Sequence, residues 1–249
     1  IGACVLALTA GTAGTADLSA TPKTVLVAGA TGRTGSAVVS QLLADGYTVR
    51  ALVRDEAKAR AALGEQVVYV TGDVTDPASL TPAMQGADAV ISAIGAKGAK
   101  GPGRPEAIDY EGVRNLATAA SAAGIKQFVL VSSRAVTQKD HPLNRMFGDV
   151  LIWKLKGEDA LRASGVPYTI IRPGGLTNAE PGKSAFVLEQ GDKVTGQTTI
   201  ARADVATICV QALKYPEARN RTFETNTVPG SPMTDWRARF ADLKADPSP

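Results

Sequence analysis

The chain has 249 residues, 44% hydrophobic and 20% charged, with 27 basic against 24 acidic side chains for a net charge of +3. That is apolar material for one α/β domain or two small ones, and no basic run interleaved with aromatics suggests nucleic acid as a partner. Two distant cysteines, Cys4 and Cys209, and a single histidine, His141, make no metal-ligand spacing and no disulfide framework, and they remove most metal and histidine-triad mechanisms.

Residues 1–21 differ in composition from the rest of the chain. IGACVLALTAGTAGTADLSA carries no charge before Asp17 and reads as the tail of a targeting peptide, with small residues suited to cleavage near Gly14 and Ala16. A disordered extension or a cloning boundary is the plainer alternative. IGAC resembles a lipoprotein cleavage box, but the apolar run continues past Cys4, and it is too rich in Gly and Thr for a good membrane span.

From Thr24 onward, apolar bursts alternate with helical patterns. TVLVAG (24–29) reads as a strand, and the pairs Val38/Leu42 and Val39/Leu43 mark one face of a helix over 36–44. YTVRALVR (47–54) is a second strand, followed by an Ala/Lys/Arg-rich helix to Leu63. QVVYVTGD (66–73) is a third, and Asp76-Pro77 caps and opens a short helix. ADAVISAIG (87–95) is the fourth strand. A long helix over 106–123 turns Val113, Leu116, Ala117 and Ala120 inward. KQFVLVSS (126–133), a helix over 149–164 and VPYTIIRPGG (166–175) continue the series. His141 falls in a loop. Residues 202–214 form a helix with Val205, Ile208, Cys209, Ala212 and Leu213 on one face, which makes Cys209 a core residue. RTFET (221–225) is a further strand, 233–243 a last helix, and the tail ADPSP is expected to fray. Near-continuous apolar strands alternating with helices predict an α/β fold with a doubly wound parallel sheet covered on both faces. This makes one domain over 22–245, with a ligand crevice at the carboxyl ends of the strands.

Gly29, Gly32 and Gly35, spaced three apart in GATGRTG, lie directly between the first strand and its helix. There the first permits a tight turn, the second lets backbone approach a pyrophosphate, and the third lets helix and strand pack closely. At the end of the second strand an NAD site usually carries an acidic residue for the ribose; here stands Arg54, with Asp55 beside it and Arg33 inside the loop. Guanidinium groups suit the 2′-phosphate of NADP, and NADP(H) is the predicted cofactor. In the alternative, Asp55 serves NAD and Arg54 is merely solvated.

GATGRTG, LVR, GDVTD, LVSS and HPLNRMFGDVLIWKLKGEDALRASGVPYTIIRPGGL, with RADVATICVQAL, together resemble the atypical short-chain dehydrogenase/reductases. These are NAD(P)-binding Rossmann proteins of the NmrA-like kind, and the chain looks most like NADP-binding members from plant plastids and their bacterial relatives. The resemblance spans about residues 23–243, and it implies a single Rossmann-type domain with a small C-terminal substrate region. It implies that the nucleotide touches Gly29, Thr31, Gly32, Arg33, Thr34, Gly35, Arg54, Asp73 and Val74. It adds Ala93, Ile94 and Gly95 at the fourth-strand exit, Ser132, Lys156, and the Pro173, Gly174, Gly175 turn. The wider superfamily reduces carbonyls with Ser, Tyr and a Lys four residues after that Tyr. Ser132 and Lys156 match the first and last, but Ile152 stands where the tyrosine would be and has no proton to give. Losing a placed acid costs about 100- to 10,000-fold in rate. The proton is left to water, to Ser132 or Ser133, or to Tyr110 or Tyr168 if either faces the cleft, and Lys156 reads otherwise as a solvated lysine. Two functions stay open. One is an NADP(H)-dependent oxidoreductase acting on a small carbonyl or quinone-like substrate. The other is a non-catalytic NADP(H)-binding redox sensor or scaffold subunit docked to a larger complex. The leader and the plastid likeness point to a chloroplast, with a bacterial cytoplasm as the alternative.

Overall fold

The computed structural model describes residues 21–193 and 198–247. Residues 1–20, with Cys4 and the expected targeting segment, lie outside them.

Strands β1 (Thr24–Ala28), β2 (Thr48–Val53), β3 (Val68–Thr71), β4 (Ala89–Ser92), β5 (Gln127–Val131), β6 (Tyr168–Pro173), β8 (Ala185–Glu189) and β10 (Arg221–Val228) make one sheet in the order β3-β2-β1-β4-β5-β6-β10-β8. All pairs are parallel except β10 with β8. Side chains alternate between faces along a strand, and here both faces are covered. Val25 and Val27 join the core under α1 (Arg33–Ala44), α7 (Arg202–Lys214) and α8 (Trp236–Ala241). Leu26 and Ala28 join the opposite core, under α3 (Pro77–Met84), α4 (Val113–Ala122) and α6 (Val150–Ala163). This is why TVLVA is apolar throughout. Asp76 caps α3 by accepting from the N–H of Ala78, as its position before Pro77 predicts.

Strand β1 pairs with β2 on one side and β4 on the other. The strand order reverses there, opening a crevice at the carboxyl ends of the two halves.

Several elements differ from the sequence reading. The helix expected over 106–123 begins as a π-helix, Glu106–Gly112, and only then becomes α4. Such segments cluster at functional sites, and α6 crosses this one closely: a Cβ on Gly157 would stand 2.1 Å from the Asp109 carbonyl oxygen. Edge strand β8, the two-stranded sheet of β7 (Gly175–Thr177) with β9 (Thr199–Ala201), and helix α5 (Pro142–Met146) carry too short a pattern to stand out in sequence. His141 caps α5, its Nδ1 accepting from the N–H of Leu143. The tail is not loose at Asp246. That residue's N–H donates to the Asn220 carbonyl, and its carboxylate accepts from the Tyr168 hydroxyl and the Thr222 N–H.

Candidate functional site

The β1–α1 loop is built of backbone with no room for side chains. Gly29 sits at φ +80, and a Cβ there would lie 2.8 Å from the Ala93 carbonyl oxygen; one on Gly35 would lie 2.0 Å from that of Gly29. Gly35 therefore sets the approach of α1 to β1. Gly32 occupies the N-cap position without a side-chain cap, and no acidic residue lies in the first turn of α1. The first N–H groups of the helix are left for a ligand, with the positive end of its dipole behind them. These features fit a dinucleotide diphosphate.

Gly29, Thr31, Gly32, Arg54, Asp73, Val74, Ala93, Ile94 and Gly95 line one cleft over this crevice. Arg33, Thr34 and Gly35 begin α1 beside it. Lys97 and Ile108, which sequence reasoning passed over, also line it. Arg54 is exposed at the end of β2. Asp55 is committed elsewhere: it caps α2 (Glu56–Leu63), accepting from the Lys58 N–H at 3.1 Å, and pairs with the Lys58 ammonium at 3.2 Å. The Lys58 N–H, then its side chain, hold the Asp55 carboxyl below the usual carboxylate range. Asp73 turns its carboxylate onto the N–H and hydroxyl of Thr75.

A smaller pocket adjoins the cleft through Ile94 and is lined by Asp109, Val113, Leu130, Val131, Ser132 and Lys154. Ser132 is therefore where its sequence position puts it. Lys156 is not in this pocket. It is exposed, with its ammonium 4.0 Å from the centre of the Trp153 indole. Lys154 enters instead, held by the buried Asp109 carboxylate at 2.7 Å. The reason is helical phase: Leu151, Glu158 and Leu161 face inward along α6, and Lys154 falls on their stripe while Lys156 lies two residues off it. That phase was the signal available in sequence. Four residues before Lys154 stands Val150, which has no proton to give, just as Ile152 has none. Neither tyrosine replaces the missing one. Tyr110 stacks on Trp153 with centroids 5.9 Å apart. Tyr168 is tied to Asp246, and burial followed by that carboxylate pushes its pKa up.

The Pro173–Gly175 turn braces the site rather than lining the cleft. The Pro173 carbonyl accepts from the Arg134 N–H, and Gly174 and Gly175 donate to the carbonyls of Thr225 and Thr198. Beneath Ser132 runs a chain of buried ion pairs. Glu158 accepts from the Ser132 hydroxyl at 2.6 Å, from Arg172 at 3.0 and 2.7 Å, and from Arg162 at 2.9 Å. Arg172 also reaches Glu224 at 2.9 Å, whose other oxygen accepts from the Asp192 N–H. Burial works against the Arg172 charge, yet its bonds to Glu158 and then Glu224 leave its pKa raised. An ionised carboxylate only accepts, so Ser132 spends its one proton on Glu158. Among the described residues no His, Cys, Asp or Glu cluster could hold a metal, and no helix is long and apolar enough to cross a membrane.

Residues 29–216 match the family described as NAD(P)H-binding. The chain is 38% identical over 89% of its length to an uncharacterized chloroplastic protein of Arabidopsis thaliana, covering 76% of it. It is 37% identical over 88% of its length to sanguinarine reductase of Eschscholzia californica, covering 96% of that protein. Among solved structures, a putative NAD-dependent epimerase/dehydratase from Bacillus halodurans superposes with a TM-score of 0.74 at 29% identity, covering 84% of this chain and 96% of that one. The chain belongs to the NAD(P)H-binding Rossmann family.

Proposed function

We propose that this family member is an NADP(H)-dependent oxidoreductase acting on a small carbonyl or quinone-like acceptor. The observation that carries the proposal is one continuous run of sites. It goes from Arg54, through the glycine loop, to the pocket where Lys154 and Ser132 meet beside Ile94. NADP(H) rather than NAD(H) is supported by Arg54 being exposed and Asp55 being spent on its helix cap.

The bound cofactor would supply a hydride; the chain would supply position and a proton. The loop backbone and the α1 N-terminus would hold the diphosphate, and Arg54 the 2′-phosphate. At the far end, Ser132 has no proton to spare and can only accept. The ammonium of Lys154 is the donor the pocket offers, and Asp109 holds it in place at 2.7 Å. In this reading the acceptor oxygen takes a proton from Lys154 Nζ, and the resulting amine regains one from water. A quinone-like acceptor, whose reduced oxygens are weak bases, needs the least help of this kind. The relative named as a reductase supports the reaction class. The chloroplastic relative supports a chloroplast location, which microscopy of the tagged native protein would check.

Calorimetry with NADPH and NADH tests the cofactor. Tight NADPH binding should weaken by about 10- to 100-fold in Arg54→Ala, the worth of a lost charged hydrogen-bonding group, with NADH unaffected. Binding of neither nucleotide would end the proposal. The missing tyrosine favours a second reading, a binding-only subunit. If the unmodified chain binds NADPH but oxidises none across a panel of quinones and aldehydes, that reading replaces the first; oxidation left unchanged by Lys154→Met would remove Lys154 as the proton donor.

A further inference from the structure

Helices α1 and α7 lie side by side on one face of the sheet. They point the same way: Lys214, ending α7, pairs at 2.6 Å with Asp45, the C-cap of α1. With 12 and 13 residues respectively, their N-termini also come together, and each opens on an arginine. Arg33 begins α1 and Arg202 begins α7. Neither helix has a side-chain cap, so both offer free N–H groups.

Neither arginine is neutralised. Arg202 makes one hydrogen bond, 2.7 Å to the amide oxygen of Asn178, and the Arg33 guanidinium has no hydrogen-bond or ion-pair partner among the described residues. The acidic residue in the first turn of α7, Asp204, is turned inward and accepts from the Gly182 N–H. The two cations feel each other: partial burial and then the charge of Arg33 push the Arg202 pKa down. Two uncompensated guanidiniums beside two positive helix ends are costly unless an anion arrives.

The position of α7 selects which anion. It packs on α1, β5 and β6, on the side of β1 away from β2, where Arg54 stands. The 2′-phosphate belongs with Arg54. The diphosphate lies over the α1 N-terminus, between the two. Resting on the nucleotide reading above, we infer that Arg202, together with Arg33, grips the diphosphate of the dinucleotide from the α7 side. A residue distant in sequence thereby completes the site begun by the glycine loop.

Calorimetry on the full chain with three probes tests this. ADP-ribose carries the diphosphate without a 2′-phosphate, adenosine 2′-monophosphate the reverse, and NADPH both. Arg202→Gln should weaken NADPH and ADP-ribose by about 10-fold or more and leave adenosine 2′-monophosphate within about 2-fold, while Arg54→Ala should weaken NADPH and adenosine 2′-monophosphate and leave ADP-ribose within about 2-fold. Arg202→Lys, which keeps a charge, should recover most of the loss and so separates binding from folding. Unchanged ADP-ribose binding in Arg202→Gln overturns the inference, as does an equal loss for adenosine 2′-monophosphate. Failure of the unmodified chain to bind any of the three overturns the nucleotide reading itself.

Discussion

Charges are treated in opposite ways at the two ends of the crevice. Around the glycine loop, Arg33, Arg54 and Arg202 stand without carboxylates, and Gly29 and Gly35 leave no room for side chains of their own. Under the β5 and β6 exits, every charge is matched: Glu158 accepts four hydrogen bonds, and Arg172 bridges two buried carboxylates. A scaffold can bury charge only when it is paired. A ligand site keeps charge unpaired because the partner arrives from solution. The contrast marks which end is open to an anion and which end is held rigid by paired charge.

The largest effect should come from breaking the paired end. Glu158→Ala leaves the buried Arg172 guanidinium with Glu224 alone and frees Ser132, and should cost about 3–5 kcal/mol, read by denaturant unfolding. A loss below about 1 kcal/mol would mean the network is not held as described. Next is Gly35→Ala. Its methyl meets the Gly29 carbonyl at 2.0 Å, so α1 must shift off β1; a cost of about 1–3 kcal/mol should accompany loss of NADPH binding. Stability unchanged with binding intact would show the loop to be looser than its geometry.

A smaller effect is acid-sensitive. Burial alone would raise the Asp192 pKa, but bonds from the Thr137 hydroxyl and N–H and the Ala135 N–H leave it lowered. A carboxyl lowered on folding stabilises the protein above its unfolded pKa of about 4, and that stability is lost as pH falls through the folded value. Asp192→Asn should therefore flatten the decline in stability below about pH 4, followed by thermal unfolding. A decline as steep as before would assign it to other carboxylates. The smallest perturbation is a reagent. Cys209 is fully buried and its thiol is pushed up to about 12, so a thiol reagent at pH 8 should label it only on unfolding. Fast labelling of Cys209 in a native Cys4→Ala chain would show α7 opening locally.

Most of the frame was legible because it rests on local patterns. Apolar strands, the helical stripe of Val205, Ile208, Cys209, Ala212 and Leu213, and the Asp76 cap each involve neighbours in sequence. The glycine loop was legible for the same reason. The site's far end was less so. Two lysines in WKLKGE satisfied a linear spacing equally well, and only the phase of α6 against the π-helical segment put Lys154 beside Asp109. The tail read as loose because its anchors, Tyr168 and Thr222, lie 78 and 24 residues away.

The amino-acid sequence by itself determined the alternation of strands and helices, the phosphate loop and the basic end of β2. It did so because backbone preference, hydrophobic period and the needs of a tight turn are written within a few residues. The tertiary structure decided that the inward lysine of α6 meets Asp109, where the Ser132 proton goes, and that Arg202 stands beside Arg33. Those outcomes depend on crossings between segments far apart in the chain, and no local pattern encodes which side chains such a crossing brings into contact.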